Sequence, residues 1–334
     1  MKSILYFGYF ILNTDYRQLA DYFREVKKNE QASFAKILLD MIISSFKYKA
    51  SFLDYFLFKF YEKDHEQRDS YITTGRLYEF YTEMNDQEKI DNFSNKAKFN
   101  KIFKEFMHRD YLFLDDNCTM DLFCNWVSDK KCIIAKPNTG VAGRGIEKIY
   151  VNNYRNNLDR LYSYLKEKKL DLIEECIEQH EDMNRLNSLS VNSIRVITVR
   201  WQGRTDIIGA VLRMSIDRHV DNFAAGGIAA PVDIKKGVVS GPAISKKLVV
   251  YEEHPKTKCI IKGFKIPYWD EAVEMVIKAS EVVPEVRTVG WDVAITETGP
   301  ELIEGNNNWD KDVFQLPYRE GKQYLLDKYY LEQN

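Results

Sequence analysis

The stretch from Gly290 to Asn306 constrains this chain most. Gly290-Trp291-Asp292-Val293-Ala294-Ile295-Thr296 and Glu301-Leu302-Ile303-Glu304-Gly305-Asn306 are two strand-like runs joined by a Glu297-Thr298-Gly299-Pro300 turn, which reads as an antiparallel hairpin. Centred on Thr298, the hairpin sets Asp292 opposite Glu304. Asn306, two residues on, shares the face of Glu304. Val293, Ile295, Leu302 and Ile303 imply a buried back and leave the oxygen donors on a selected front. Two carboxylates and a carboxamide with no histidine nearby are hard ligands, better suited to Mg²⁺ held between protein and phosphate oxygens than to zinc. The plain alternative is a solvated polar hairpin face.

At 334 residues the chain has room for about two folding units. Up to about Asn95 it is dense in Tyr, Phe, Lys and Asp, and the apolar spacing at Phe34, Ile37, Leu38, Met41 and Ile42 predicts a mostly helical region. The aromatic stripes there are read as core rather than as a grip on sugar or lipid. After about Lys130 glycines and β-branched runs take over (CIIAKP, EKIYV, LDLIEE, SIRVITVRW, DIIGAVLRM), so the second half is α plus β. Helices are expected within Asn153–Lys169, Tyr268–Val283 and Lys322–Glu332.

Forty-eight basic against fifty acidic residues, a net charge of -2, give no chain-wide field for nucleic acid or an anionic bilayer, although a local basic patch stays open. The longest uncharged apolar stretch, Ser3 to Leu12, is about half of what spans a bilayer and has no small-residue cleavage site behind it. A cytoplasmic protein without a transmembrane segment is expected. The five cysteines, Cys118, Cys124, Cys132, Cys176 and Cys259, contain no CxxC pair and are read as free thiols rather than a disulfide framework or zinc ribbon.

Ile133 to Ile146 (IIAKPNTGVAGRGI) is a strand ending in Lys136, a loop with three glycines, and a second strand. Glycines let backbone N–H groups approach an anion, and the lysine adds a point charge, so the loop suits a polyphosphate. No GK[ST] follows, and Lys148 stands where GxGxxG needs its last glycine, so on its own the loop is as well read as a glycine hairpin. His108-Arg109-Asp110 has the look of a protein-kinase catalytic loop, but Asp115 replaces the expected asparagine, no DFG follows, and the glycine loop comes too late in the chain.

Taken in order, KPNTGVAGRGI, LIEECIEQH, SVNSIRVITVR, VDNFAAGGI and GWDVAITETGPELIEGNNNWD resemble the ATP-grasp superfamily over about Lys96 to Trp309, most closely its branch associated with sugar transfer and polysaccharide gene clusters. The resemblance implies an α+β ATP-grasp fold, two α+β subdomains clasping ATP. The division would be a helical region at 1–95, the glycine-loop subdomain at 96–174, a second subdomain with the Mg²⁺ site at 175–317, and a terminal helix at 318–334. It also implies roles. Lys136 would meet the α- and β-phosphates, and the loop carrying Asn138, Thr139, Gly140, Gly143, Arg144 and Gly145 would close over the β- and γ-phosphates. A second lysine comes from the preceding helical region, with Lys96 fitting best and Lys98 and Lys101 close behind. Glu174, Glu175, Cys176 and Ile177 would form the strand and hinge that read adenine, with Gln179, His180 or Asp182 near the ribose. Asp292, Glu304 and Asn306 would hold Mg²⁺, in two ions. Arg195 and Arg213 would meet the transferring phosphoryl group, the alternative being a structural salt bridge. Asn192, Asn222, Gly226 and Gly227 would face substrate.

The implied chemistry is attack of a carboxylate on the γ-phosphate of ATP to give an acyl-phosphate, captured by an amine as an amide. For this branch the implied substrates are a sugar carboxylate, such as a uronic acid, and an amino acid or simple amine in polysaccharide or capsule biosynthesis. Two alternatives share the nucleotide residues. One is a small-molecule kinase on the same frame. The other is a catalytically silent nucleotide-binding partner of a glycosyltransferase, against which the full set Lys136, Asp292, Glu304 and Asn306 counts.

Overall fold

Six helices occupy the start of the chain in the computed structural model, which describes residues 2–29, 33–140, 145–217, 221–223 and 226–331. They are α1 (Lys2–Asn13), α2 (Tyr16–Asn29), α3 (Phe34–Tyr48), α4 (Phe52–Leu57), α5 (His65–Asp69) and α6 (Thr74–Met84). Short polar caps set several starts: Ser33 accepts from the Lys36 amide, and Ser51 with Asp54 and Asp64 with Gln67 close capping boxes. The stripe from Phe52 to Phe60 is core, with Phe52, Tyr55, Phe56 and Phe60 buried, whereas on α3 Ile37 and Met41 are buried but Phe34 and Phe46 are exposed. Residues after Trp309 belong to this unit: Lys311, on α13 (Lys311–Gln315), pairs with Asp54 at 2.7 Å, and the Gln315 side chain brackets both backbone groups of Ile72 at 2.8 and 2.9 Å. The last helix, α14, spans Gln323–Leu331. The chain thus divides into one unit of residues 1–84 with 310–334 and another of 85–309, so 85–95 falls with the sheets and the terminal helix with the helical start.

The second unit carries α7 (Asp91–Ser94), α8 (Lys96–Ile102), α9 (Met120–Val127), α10 (Leu158–Glu167), α11 (Glu181–Leu186) and α12 (Trp269–Val282) around two antiparallel sheets. The smaller holds β1 (Tyr111–Phe113), β2 (Cys132–Lys136), β3 (Glu147–Tyr150) and β4 (Leu172–Glu175), in the order β1-β4-β2-β3. Leu161 and Leu165 of α10 pack with Phe123, Ile133 and Ala135 beneath it. The larger holds β5 (Ile194–Trp201), β6 (Arg204–Met214), β7 (Ile228–Asp233), β8 (Val238–Val239), β9 (Ala243–Ser245), β10 (Val250–Tyr251), β11 (Thr288–Thr296) and β12 (Gly299–Asn306). Its order is β10-β9-β7-β6-β5-β11-β12, with β8 beside β7. Ala272, Val276 and Ala279 of α12 close its core against Val196 and Trp291.

The cysteine expectation is corrected for one pair. Ile133 lies opposite Glu175 in the β2–β4 ladder, a register that brings Cys132 level with Cys176 at a Cα separation of 6.2 Å, and the two are disulfide-bonded. Cys118, Cys124 and Cys259 are free. Among the described residues no helix is long and apolar enough to cross a membrane.

Candidate active site

The hairpin opposes Asp292 and Glu304, by a route that simple symmetry misses. From the turn upward the pairs are Thr296–Gly299, Ile295–Pro300, Ala294–Glu301 and Val293–Leu302, after which a bulge at Ile303 shifts the register so that Asp292 pairs with Glu304. Without that extra residue Asp292 would face Ile303. Behind the carboxyls, Trp291 is fully buried and donates from Nε1 to Thr198 Oγ1 at 2.9 Å. Gly290 has to be glycine: a Cβ there would lie 2.7 Å from the Trp309 Cβ and 2.9 Å from the Arg195 Cδ.

Both strand arginines converge on Asp292. Arg195 grips it with Nε and with Nη2, the latter at 2.9 Å, and Arg213 Nη2 adds a bond of 2.8 Å. Arg213 is itself held by Ser193 Oγ at 2.8 and 3.0 Å and by Asp221 at 3.4 Å. Burial opposes ionisation of Asp292, but the two guanidinium groups hold its carboxyl below the usual range. Glu304 goes the other way: burial and the neighbouring Asp292 push it up, against Arg195 and Lys136, while Asn306 Nδ2 donates to its Oε1 at 3.2 Å. The salt-bridge alternative for Arg195 and Arg213 is therefore present, and it centres on Asp292.

The glycine-loop side meets the same carboxyls. Lys136 is buried and pairs with Glu174 Oε1 at 2.8 Å. Lys96, at the start of α8, donates from Nζ to the Gly140 carbonyl at 3.0 Å, while Asn138 accepts from the Ala97 amide at 2.8 Å. Burial lowers the Lys96 pKa, and Glu304, Lys136 and Glu174 are the charges acting on it. The positive ends contributed by β2 and α8 and the acidic end of the β11–β12 hairpin therefore occupy one electrostatic neighbourhood. Lys98 instead pairs with Asp91 on the exposed side, and Lys101 is exposed.

Beneath the lysines lies a buried network that sequence reasoning set aside. Glu174 accepts from Asn100 at 2.6 Å and from Arg109 Nε at 3.2 Å, as well as pairing with Lys136. Burial would raise its pKa, but Arg109 and Lys136 bring it down to about 2. Arg109 continues to Glu301 at 2.5 Å and to the carbonyls of Leu302 and Ile303 at 2.7 and 3.2 Å. One guanidinium thus ties the strand behind Lys136 to the bulged strand carrying Glu304. The signal was an arginine in a motif dismissed for failing as a kinase loop, and only the fold shows what it holds.

The remaining expected residues divide. Thr139 and Gly140 are exposed at the loop mouth, Gly145 closes it at a φ of 74°, and Gly143 and Arg144 lie outside the described residues. Glu175 pairs with Lys130 at 2.7 Å and accepts from the Asp110 amide at 2.8 Å. The chain after β4 continues through half-buried Cys176 and Ile177 without regular structure. Asp182 lies in the first turn of α11 and pairs with Arg185 at 3.1 Å. Asn192 Nδ2 is within 2.7 to 3.0 Å of Gln179 Oε1 and the carbonyls of Met183 and Asn187, a buried knot that holds the loop. The Asn222 carbonyl accepts from the Gly227 amide at 3.0 Å. Gly226 has a φ of 103°, and a Cβ on Gly227 would sit 2.8 to 3.0 Å from three backbone carbonyls, those of Asp221, Asn222 and Met214. Both glycines are thus required by the turn whatever else they do.

A divalent cation fits this donor set. Asp292 and Glu304 face one another across the β11–β12 pair, and two carboxyls set opposite each other are satisfied by a shared proton or by a cation. No group of three His, Cys, Asp or Glu side chains among the described residues is arranged around a metal position, so a hard ion here would rely on Asn306 and on phosphate oxygens as well.

The fold is that of an ATP-grasp protein. A sequence profile described as sugar-transfer associated ATP-grasp matches residues 76–329, and the chain belongs to that family. No curated protein matches it. Among solved structures, the ATP-grasp ligase PsnB complexed with precursor peptide PsnA2 and AMPPNP is 13% identical over 77% of this chain and 66% of its own, with a TM-score of 0.44. The D-alanyl-alanine synthetase A of Vibrio cholerae is 12% identical over 72% of this chain and 66% of its own, at 0.42. The ADP complex of purK, N5-carboxyaminoimidazole ribonucleotide synthetase, is 12% identical over 67% and 47%, at 0.41. The chain spans just under two thirds of PsnB.

Proposed function

We propose that this chain is an ATP- and Mg²⁺-dependent carboxylate–amine ligase that joins an amino acid or simple amine to a sugar carboxylate, such as a uronic acid, in polysaccharide or capsule biosynthesis. One observation carries the reading: Arg109 bonds both to Glu174, the partner of Lys136, and to the Leu302 and Ile303 carbonyls beside Glu304, which supports a shared site for phosphate-binding cations and hard oxygen donors. In this reading Lys136 and Lys96 bind the phosphates, with the amides of Asn138 to Gly145 folded over them. Glu174 holds the Lys136 ammonium in place, and the segment from Glu175 to Ile177 lines the adenine side.

Asp292, Glu304 and Asn306 would hold Mg²⁺, in two ions, which neutralises charge on the β- and γ-phosphate oxygens. Arg195 and Arg213 already point their guanidinium groups at Asp292 and would turn part of that fork to the equatorial oxygens of the transferring phosphoryl group. The acid needs activation because a carboxylate oxygen leaves poorly and a phosphate leaves well. The acid's oxygen bonds to the γ-phosphorus as ADP departs; the amine then bonds to the acyl carbon, phosphate leaves, and the amine proton is lost. No covalent enzyme nucleophile is required. Product analysis with ATP and candidate pairs tests this: ADP that forms only when acid and amine are both present supports ligation, and ADP formed on a hydroxyl acceptor without amine overturns it in favour of a kinase.

A further inference from the structure

The proposed reaction leaves two side chains beside Arg213 without a role. Ser193 stands just before β5, opposite Arg213 of β6: the ladder pairs Ile194 with Leu212, and one step further the Arg213 amide donates to the Ser193 carbonyl at 2.8 Å. Arg195 pairs with Val211 on one side and with Asp292 on the other, so alternation along the strands puts Ser193, Arg195 and Arg213 on the face of Asp292. Ser193 is buried, and its hydroxyl has no water to turn to. Asp221, in the segment after β6, closes on it, accepting from the Ser193 amide at 2.9 Å and from the Ser193 hydroxyl. A serine hydroxyl has one proton. Spent on Asp221, it leaves the oxygen able only to accept on its other side. There Arg213 gives it two N–H groups, from Nε at 3.0 Å and from Nη2 at 2.8 Å.

This bridge fixes an orientation that charge alone would not. Asp221 and Arg213 meet directly only through a long contact of 3.4 Å, whereas the interposed hydroxyl holds the Nε–Nη2 edge of the planar guanidinium at two points. Nη2 also reaches Asp292 at 2.8 Å. Among the described residues Nη1 has no partner, and the Arg213 side chain stays 12% exposed. One edge of a braced cation is thus left for a ligand.

We propose that Ser193 and Asp221 are positioning residues: Asp221 turns the Ser193 hydroxyl so that its oxygen braces Arg213, which leaves Nη1 for the transferring phosphoryl group. This role rests on the nucleotide site read above and is the same whether the acceptor is a carboxylate or a hydroxyl. Calorimetry of the full chain with MgADP, with and without aluminium fluoride as the probe for a phosphoryl group in transfer, tests it without an acceptor. The wild type should bind MgADP more tightly when the fluoride is present. Ser193→Ala should lose about tenfold or more of that gain, as expected for a lost hydrogen bond to a charged group, while its affinity for MgADP alone is unchanged. Ser193→Thr keeps the hydroxyl and should restore the gain. Asp221→Asn should lose part of it, because an amide oxygen accepts the proton more weakly than a carboxylate, and this variant decides alone if the alanine variant does not fold. A gain kept in full by Ser193→Ala and Asp221→Asn overturns the proposal and leaves the nucleotide site standing. So does an equal loss of affinity for MgADP alone, which would make the brace merely structural, or a wild type that gains nothing from the fluoride. A wild type that binds no MgADP overturns the nucleotide site itself.

Discussion

Replacing Arg109 with methionine removes the one cation that reaches both Glu174 and Glu301, together with the donors to the Leu302 and Ile303 carbonyls. Methionine keeps much of the volume, so the effect is electrostatic. Glu174 retains Lys136 and Asn100, whereas Glu301 keeps only a long approach of His108 at 3.9 Å. Removing one partner of a buried ion pair costs about 3–5 kcal/mol. With Glu174 still served, the lower figure applies, about 3 kcal/mol, which for a unit of this size lowers the melting temperature by about 10 °C. The activity should follow through position. Lys136 is held by Glu174, so loss of the anchor should raise the KM for ATP by about tenfold, and Arg109→Lys should recover only part, because a point charge cannot serve two carboxylates and two carbonyls together. Thermal melts and ATP-dependent turnover of the three proteins decide it. An Arg109→Met variant that melts with the wild type and keeps its KM would show that the network neither stabilises nor positions anything.

Lys96→Ala should weaken ATP binding by calorimetry about tenfold or more, whereas Lys98→Ala should leave it unchanged, because among the described residues Lys96 donates to the loop and Lys98 pairs with Asp91 instead. Lys136→Ala should weaken it further, and unaltered affinity would move the phosphate site elsewhere. Glu174 has a carboxyl lowered to about 2 from 4.5, so it contributes stability that is complete above about pH 4.5 and lost as the pH falls towards 2. The wild type should lose about 3 kcal/mol across that window through this group, and urea titrations of Glu174→Gln should lack that slope. Gly227→Ala should destabilise the second unit by ~2 kcal/mol or more, since three backbone carbonyls cannot give way to its Cβ; an unchanged urea midpoint would show that the turn relaxes.

Much of this arrangement was legible in the chain itself. A hairpin centred on Thr298 pairs Asp292 with Glu304, but the turn is centred between Glu297 and Thr298, and the bulge at Ile303 is what restores that pair. A bulge has no sequence signature beyond one surplus residue. The helices around Leu161 and Val276 are visible because a long amphipathic period is a redundant signal. Strands β7 to β10 were missed because β8 to β10 are only two or three residues long and β7 carries two alanines and is interrupted by Pro231, features that weaken the strand signal while pairing supplies the stability. Choosing Lys96 over Lys98 and Lys101 needed the N-terminus of α8 to be docked on Asn138. The Cys132–Cys176 bond needed the β2–β4 register. The role of Arg109 was not legible because a buried polar residue can be defined by partners far away in sequence, here Glu174 and Glu301, and local motifs do not name them.

The account stands on phosphates held between the Lys96–Lys136 pair and the hairpin carboxyls, and Glu304→Gln tests that directly. Because Glu304 is destabilised as an anion by burial and by Asp292, a neutral amide should leave the melting temperature equal or higher. Mg²⁺-dependent ADP formation should nonetheless fall by about 100-fold or more. Turnover that keeps its rate and its Mg²⁺ dependence in that variant would contradict the account.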